Sequence, residues 1–423
     1  MKHIFFLFLT IVFVSSANSQ VITWGEQTSG ITTGLNSVSA PDDNNAWTCG
    51  NSGKVLRTTN GGVSWSSVGG GIIPVTLSLY NIFGIDANTA LVTGSSATAT
   101  FVYRTSNAGV TWTQVFTQTG GFMDAIWMGN AQAGFMYGDP VGGRWSLWGT
   151  FTGGLTWDST QFNLPQAGNE AGYNNAFYFD GVSQAVWFGT SNTRIYRSTN
   201  LILWSTETTT GQANSSALWF NTSTNGMTGG TGLLLTTNGG TAWNNTATPL
   251  PGTANIVGIN GSGTNWVVVR TAPQIYFTTN NGGAWVTQYT APAGNYTHVI
   301  KSRSTGANYW AVKDNGRISS GNFGFTGIHP VSNEVSSDFS LKQNYPNPFN
   351  PSTNIKFNIP KESFVNIRVF DVLGRLVKDL VNENLKQGLY EINFGASDLN
   401  SGTYFYTLTA GNFNESKKML LVK

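Results

Sequence analysis

A single cysteine, Cys49, stands in the whole chain of 423 residues, so no disulfide can form within it and stability has to come from packing. Histidine is nearly as scarce. Once the N-terminal leader described below is removed, only His298 and His329 remain; they lack metal-ligand spacing, and neither lies near Cys49 in sequence to activate its thiol. No metal and no cofactor is expected. Charge is sparse as well: charged residues make up 10% of the chain, the formal net charge is +2, and no basic run occurs. That removes the electrostatic basis for nucleic-acid binding and argues against charge-rich surface helices. Beyond the N-terminus no segment is long and apolar enough to be a transmembrane helix.

Glycine (51 residues) and aromatics (13%) are abundant instead. Turn residues recur between short Val, Ile, Phe, Trp and Tyr runs, the pattern of an all-β chain. The length calls for at least two folded units. Lys2, an apolar run over 4–14, and small residues at Ala17 and Ser19 describe a cleavable Sec-type signal peptide over 1–19 that leaves Gln20 first.

Internal repetition carries most of the information. TTNGGVSW (58–65), TSNAGVTW (105–112), TTNGGTAW (236–243) and TTNNGGAW (278–285) share one frame: Ser or Thr, any residue, Asp or Asn, any residue, Gly, any two, Trp. TFTGGLTW (150–157) keeps the frame with Thr152 at the Asn position, and STNLILW (198–204) is one residue short and lacks the glycine. Successive tryptophans lie 47, 45, 47, 39 and 42 residues apart, the length of a four-stranded propeller blade. The boxes resemble the Asp-box, or bacterial neuraminidase repeat. An Asn side chain satisfies turn N–H groups, Gly supplies positive φ, and Trp packs as a wedge in the outer blade. Asn60, Gly62, Trp65, Asn107, Gly109, Trp112, Gly154, Trp157, Asn200, Trp204, Asn238, Gly240, Trp243, Asn280, Gly282 and Trp285 are accordingly structural. So are Arg57, Arg104 and Arg197, each preceding a box at the same blade position.

One blade reads as strands over 36–40, 46–50 and 54–58, with a fourth running through Trp65. Trp24 lies in what looks like a fourth strand with no blade before it, while 309–322 supplies second and third strands whose box has decayed. Joining the two closes a seven-bladed β-propeller over 20–325 and removes exposed edges. A linker follows over 326–338. The remainder, 339–423, alternates as a small immunoglobulin-like β-sandwich does. Its motifs NYPNPFNP, VFDVLGR, SGTYFYTL and KKMLLV resemble the type A sorting domain of the type IX secretion system of Bacteroidetes. The resemblance implies a partner in that machinery, passage across the outer membrane, and a released or surface-attached product.

Sialidases share the box, but a sialidase needs arginines clustered on a carboxylate, a Tyr–Glu nucleophile pair and an acidic proton donor; no such set stands out. One region is less generic than its counterparts: 122–148 and 169–179. It also resembles exported propellers often compared with the photosystem II stability/assembly factor family, which implies no particular reaction. Asp124 starts a first strand, Asp139 and Pro140 lie on a second-to-third connection, Arg144 begins a third strand, and Glu170 sits on the loop into the next blade. All four converge on the upper face in this reading, beside Tyr80, Phe122, Tyr173 and Tyr296. The cluster is either architectural, bonding neighbouring loops, or a face that stacks sugar rings and bonds hydroxyls, or a glycoside hydrolase using the carboxylate pair Asp139 and Glu170. The expectation is a non-catalytic, surface-displayed or released propeller binding a polysaccharide or surface protein, with the hydrolase as the alternative.

Overall fold

The computed structural model describes residues 22–422 apart from 70–71, 181–182, 184, 213, 304–307, 323–328, 333–337, 351, 386 and 397–398. The signal-peptide reading for 1–19 lies outside the described residues. Every regular element among those described is a strand.

Seven small antiparallel sheets follow one another along the chain. The first is built from Leu35–Ser39, Ala46–Gly50, Val55–Thr58 and Ser66–Ser67, and the second from Ser78–Gly84, Ala90–Ser95, Ala99–Thr105 and Thr113–Thr119. The third has three strands, Met123–Met128, Gly134–Val141 and Arg144–Thr150. Its fourth is reduced to bridges from Arg144 to Pro165 and from Gly149 to Asp158. The fourth, fifth and sixth sheets start at Phe177–Phe179, Ala217–Phe220 and Ile256–Ser262. The seventh joins Tyr296–Lys301, Asn308–Lys313 and Ile318–Asn322 to the N-terminal strand Thr23–Gln27, which pairs with Ile318–Asn322 in unbroken register.

First strands pack side by side: sheet one on two, two on three, four on five, five on six, six on seven, and seven back on one. Sheets three and four share a core containing Tyr137, Trp145, Phe177 and Phe188. Small polar residues on the first strands tie neighbours together. Ser39 Oγ accepts from Gly84 N at 3.1 Å, and Asn81 Oδ1 accepts from Ile126 N at 2.9 Å.

The boxes repeat one hydrogen-bond pattern. Asn60 Oδ1 accepts from Ser64 N (3.0 Å) and Thr58 Oγ1 accepts from Gly62 N (2.9 Å), and the same bonds recur at Thr105/Asn107, Thr236/Asn238 and Thr278/Asn280. At 150–157 the Thr152 hydroxyl replaces the amide, accepting from Thr156 N at 2.9 Å. Gly62 (φ 87°) and Gly109 (φ 81°) occupy the left-handed region that a side chain resists. Because the turn runs through Trp65, the fourth strand begins only at Ser66, later than the sequence pattern suggests. Three of the box tryptophans bond back toward the preceding part of the ring: Trp112 Nε1 donates to the Val68 carbonyl (2.7 Å) and Trp285 Nε1 to that of Thr248 (3.1 Å), while Trp65 Nε1 donates to Gln27 Oε1 (2.9 Å) on the N-terminal strand. Arg57 and Arg197 lie over Trp47 and Trp187, and Arg104 Nε donates to the Gly153 carbonyl. These arginines are framework residues.

The C-terminal part forms two four-stranded sheets. One contains Ser352–Ile359 and Gly388–Gly395, the other Ser363–Phe370, Leu376–Leu385, Gly402–Ala410 and Phe413–Leu421. Between them lie Ile355, Phe357, Ile367, Val369, Ile392, Leu408 and Met419, all fully buried. Part of the expected linker is itself a strand: His329–Ser332 pairs with Leu389–Glu391. The separated motifs meet here. Tyr406 OH donates to the Lys342 carbonyl and accepts from Asn344 N. Asn347 and Phe349 bond the backbone of Leu420 on the edge strand, which protects that edge from pairing with another chain.

Candidate functional site

The first strands of all seven sheets surround a central cavity of about 50 Å³. Its upper mouth is where first strands begin, and its lower mouth is where they end. The segment 166–176, leading into the fourth sheet, crosses the upper mouth. Asn175 is its tip, held at φ 65°. Its Oδ1 accepts from Ser37 Oγ and Asn81 Nδ2, both at 2.8 Å, and its Nδ2 donates to the Asn36 carbonyl at 3.3 Å. A single residue ahead of the fourth sheet thus bonds sheets one and two at this mouth.

The sequence candidates pin this segment. Asp139 Oδ1 accepts from Gly172 N at 2.7 Å, and the Asp124 carbonyl accepts from Asn175 N. Glu170 is 2% exposed. Its carboxylate accepts from Tyr196 OH, from Ala167 N (3.1 Å) and from Arg194 Nε (3.1 Å). Asp124, Asp139 and Glu170 therefore all hold the segment 166–176, but Arg144 is not their partner. It is exposed and makes no ion pair among the described residues. Asp139 and Pro140 belong to the end of the strand Gly134–Val141 rather than to a connection, because a register shift after Gly138 lengthens that strand. Tyr80 and Phe122 meet edge to face at 4.5 Å, both half-buried, and Tyr173 gives its carbonyl to Tyr137 OH. Tyr296 is not at the mouth: it is fully buried, with its OH against Ser319 Oγ. Asn175, Tyr137, Arg194 and Tyr196 were invisible as site residues; a paired Asn174–Asn175 before a strand is the one local hint, since Asn tolerates positive φ.

Asp124 Oδ2 is buried without a hydrogen-bond partner among the described residues. Burial first, and the neighbouring Asp139 second, push its carboxyl well above the usual carboxylate range; Tyr137 also faces it. The unfolded carboxyl titrates near about 3.9, so above that pH the folded chain binds the extra proton and stability falls as pH rises toward the folded value. Asp124→Asn removes this loss. Its melting midpoint should lie near that of the native chain at about pH 4 and above it at about pH 7–8. Parallel midpoint-versus-pH curves for the two proteins would contradict the assignment.

The cavity wall is largely apolar, with Val38, Ile82, Ile126, Leu218 and Ile259 among its residues; its polar lining includes His298, Arg303, Ser37, Ser39, Asn81 and Asn175, and among the described residues neither Asp nor Glu. His298 Nδ1 accepts from Val38 N (3.2 Å), and burial lowers its pKa to about 4. It is neutral at pH 7, with its proton on Nε2. At the lower mouth Arg303 lies 4.2 Å over the Phe83 ring, donating from Nη1 to Ser39 Oγ (3.0 Å) and from Nη2 to the Gly84 carbonyl. Burial brings it down to about 10, so it stays charged. Phe83 touches Trp127 (5.1 Å), Trp127 touches Tyr178 and Trp219 (both 6.4 Å), and Tyr178 touches Trp219 (4.9 Å). Trp127, Tyr178 and Trp219 are half-buried.

Residues 343–423 match the secretion system C-terminal sorting domain family, which indicates export to the cell surface or the medium. Among solved structures, YCF48 bound to D1 peptide is 12% identical with a TM-score of 0.56, over 70% of this chain and 96% of that one. YCF48 from Cyanidioschyzon merolae is 15% identical with a TM-score of 0.55, over 70% and 98%. The WD40 β-propeller domain of Doa1 is 13% identical with a TM-score of 0.53, over 71% and 97%. At such identities the likeness is one of fold, a β-propeller type. No curated protein matches the sequence.

Proposed function

We propose that this chain is a non-catalytic, seven-bladed β-propeller, closed by its N-terminal strand and exported through the type IX secretion system, that binds an extracellular polysaccharide or surface protein. In this reading 1–19 is the signal peptide, 20–325 the propeller, 326–338 the linker and 339–423 the sorting domain. The match of 343–423 to a sorting domain, on a chain whose other part has a propeller-type fold, is the observation that carries it. Seven consecutive sheets support the blade count, and Gln27 taking the bond from Trp65 that Val68 takes from Trp112 supports closure. The boxes, with their repeated turn bonds, support the Asp-box reading.

The hydrolase alternative needs two free carboxylates facing a cleft, and Glu170 is buried with both oxygens engaged. The engaged state of Glu170 supports recognition without turnover over that alternative. One fold relative is a complex with a peptide, so a protein ligand is within the range of the fold. The test is a pull-down of the exported chain on a polysaccharide panel, with reducing-end release followed in the same tubes. Retention without release is the expected result. Release that is lost on Asp139→Ala/Glu170→Ala, with the fold intact, would establish the hydrolase instead.

A further inference from the structure

The lower mouth of the central cavity has a composition that the upper mouth lacks. Arg303 brings a charged guanidinium to it, and among the described residues no carboxylate lies within ion-pairing distance of that group. Two of its five donors are used, on Ser39 and Gly84. Asp42 supports its charge from farther off, against the burial that lowers its pKa, and three of its five donors remain open to a ligand. Beside it the rings of Phe83, Trp127, Tyr178 and Trp219 form one connected aromatic wall contributed by four different sheets, and three of them keep part of their surface open. At the other mouth Asn175 bridges Ser37 and Asn81 across the lining.

We propose that this lower mouth binds an acidic sugar, a uronate unit of a polysaccharide, with Arg303 holding the carboxylate and the Trp127–Tyr178–Trp219 wall holding the apolar face of the ring. The inference rests on the binding reading above and gives it a place and a chemical class. A cavity of about 50 Å³ takes a carboxylate and a few waters but no whole ring, since one water needs roughly 10–15 Å³ on this measure. The ring therefore rests outside, on the aromatic wall. Planar guanidinium and carboxylate match as a two-bond fork, and flat half-open aromatic rings suit a sugar face. An apolar peptide side chain is the competing occupant, since the lining also holds Ile82, Ile126, Leu218 and Ile259; the charged guanidinium of Arg303 is what favours the acidic sugar.

The experiment titrates the full exported chain with oligogalacturonate and follows tryptophan fluorescence. The same oligomer with its carboxyls chemically reduced serves as the neutral control. Binding to the acidic oligomer should weaken with added salt, and should fall by about tenfold or more both on reduction of the ligand and in Arg303→Met. Reducing the ligand leaves the protein untouched, so the proposal is tested even if Arg303→Met fails to fold. Tyr80→Ala/Phe122→Ala, at the upper mouth, should bind as the native chain does. Equal binding of the reduced oligomer, or loss in the upper-mouth variant alone, overturns the proposal. So does no binding of oligogalacturonate by a chain that still retains a neutral polysaccharide or a peptide, and in that case the broader binding reading survives. A chain that retains no ligand of any class defeats both.

Discussion

Replacing Glu26 with Ala should cost about 3 kcal/mol of folding stability, the lower end of the range for leaving a buried charge unpaired. Glu26 belongs to the N-terminal strand, and its carboxylate meets Lys313 Nζ at 2.5 Å; the lysine side chain has no exposure and the glutamate keeps 21%. Ser319 Oγ donates to the other carboxylate oxygen at 2.7 Å, and Tyr289 OH reaches it at 3.1 Å from the sixth sheet. The N-terminal strand is thus joined to two sheets by one carboxylate. Burial already holds Lys313 below its ordinary value, with Glu26 opposing the fall. Without Glu26 the fall deepens, so the unfolded lysine, near about 10.4, holds its proton at a pH where the folded one releases it. Stability then rises with pH. The deficit of Glu26→Ala should shrink between about pH 7 and pH 9, and adding Lys313→Met should restore much of it, because an apolar replacement of a whole buried pair is nearly neutral. Urea melts at several pH values read all three effects. A deficit under about 0.5 kcal/mol, the scale of ordinary surface changes, would show that the strand is held by backbone pairing alone.

The boxes were legible because their physics is local: Thr58, Asn60 and Gly62 bond one another within five residues, so the pattern repeats wherever the turn does. Spacing then gave the period, and the period gave the sheets. The upper mouth was half legible. Asp124, Asp139 and Glu170 stood out as acids in a chain poor in charge, and the first two bond the segment 166–176 to which Glu170 belongs. Their partners did not stand out, because Arg194 and Tyr196 belong to the fourth sheet's third strand and look like any other strand residues. Asn175 bonds Ser37 across 138 positions, and no local pattern encodes such a contact. Tyr296 was misplaced for a definite reason. A register shift between Tyr296 and His298 inserts one residue, which turns Tyr296 inward with Val299 and leaves His298 on the cavity wall. Strict alternation from the strand start places Tyr296 on the wrong side. Arg303 and the aromatic wall follow only from knowing which strand ends are neighbours around the cavity.

Glu170→Ala should cost about 2–4 kcal/mol, since it strands a buried Tyr196 hydroxyl and the Ala167 amide and deprives Arg194 of its partner. The figure stays below that for a wholly buried pair because the Arg194 side chain keeps 30% exposure and can turn to water. Tyr196, pushed up to about 12 by burial and then by Glu170, remains a neutral donor throughout the physiological range, so the lost bond is not replaced by ionisation. The loss should concentrate in one place. Amides from 166 to 176 should exchange faster in the variant, since the Ala167 amide loses its acceptor and Arg194, which also donates to the Ala167 carbonyl, loses its ion pair. Arg144→Ala, at an exposed side chain without an ion pair among the described residues, should stay within about 0.5 kcal/mol of the native chain. This contrast separates an architectural carboxylate from a catalytic one. Active-site carboxylates are commonly held at a cost to stability, so removing one leaves the fold unchanged or firmer. An unaltered or raised melting midpoint in Glu170→Ala, with exchange at 166–176 unchanged, would return the residue to the catalytic candidates.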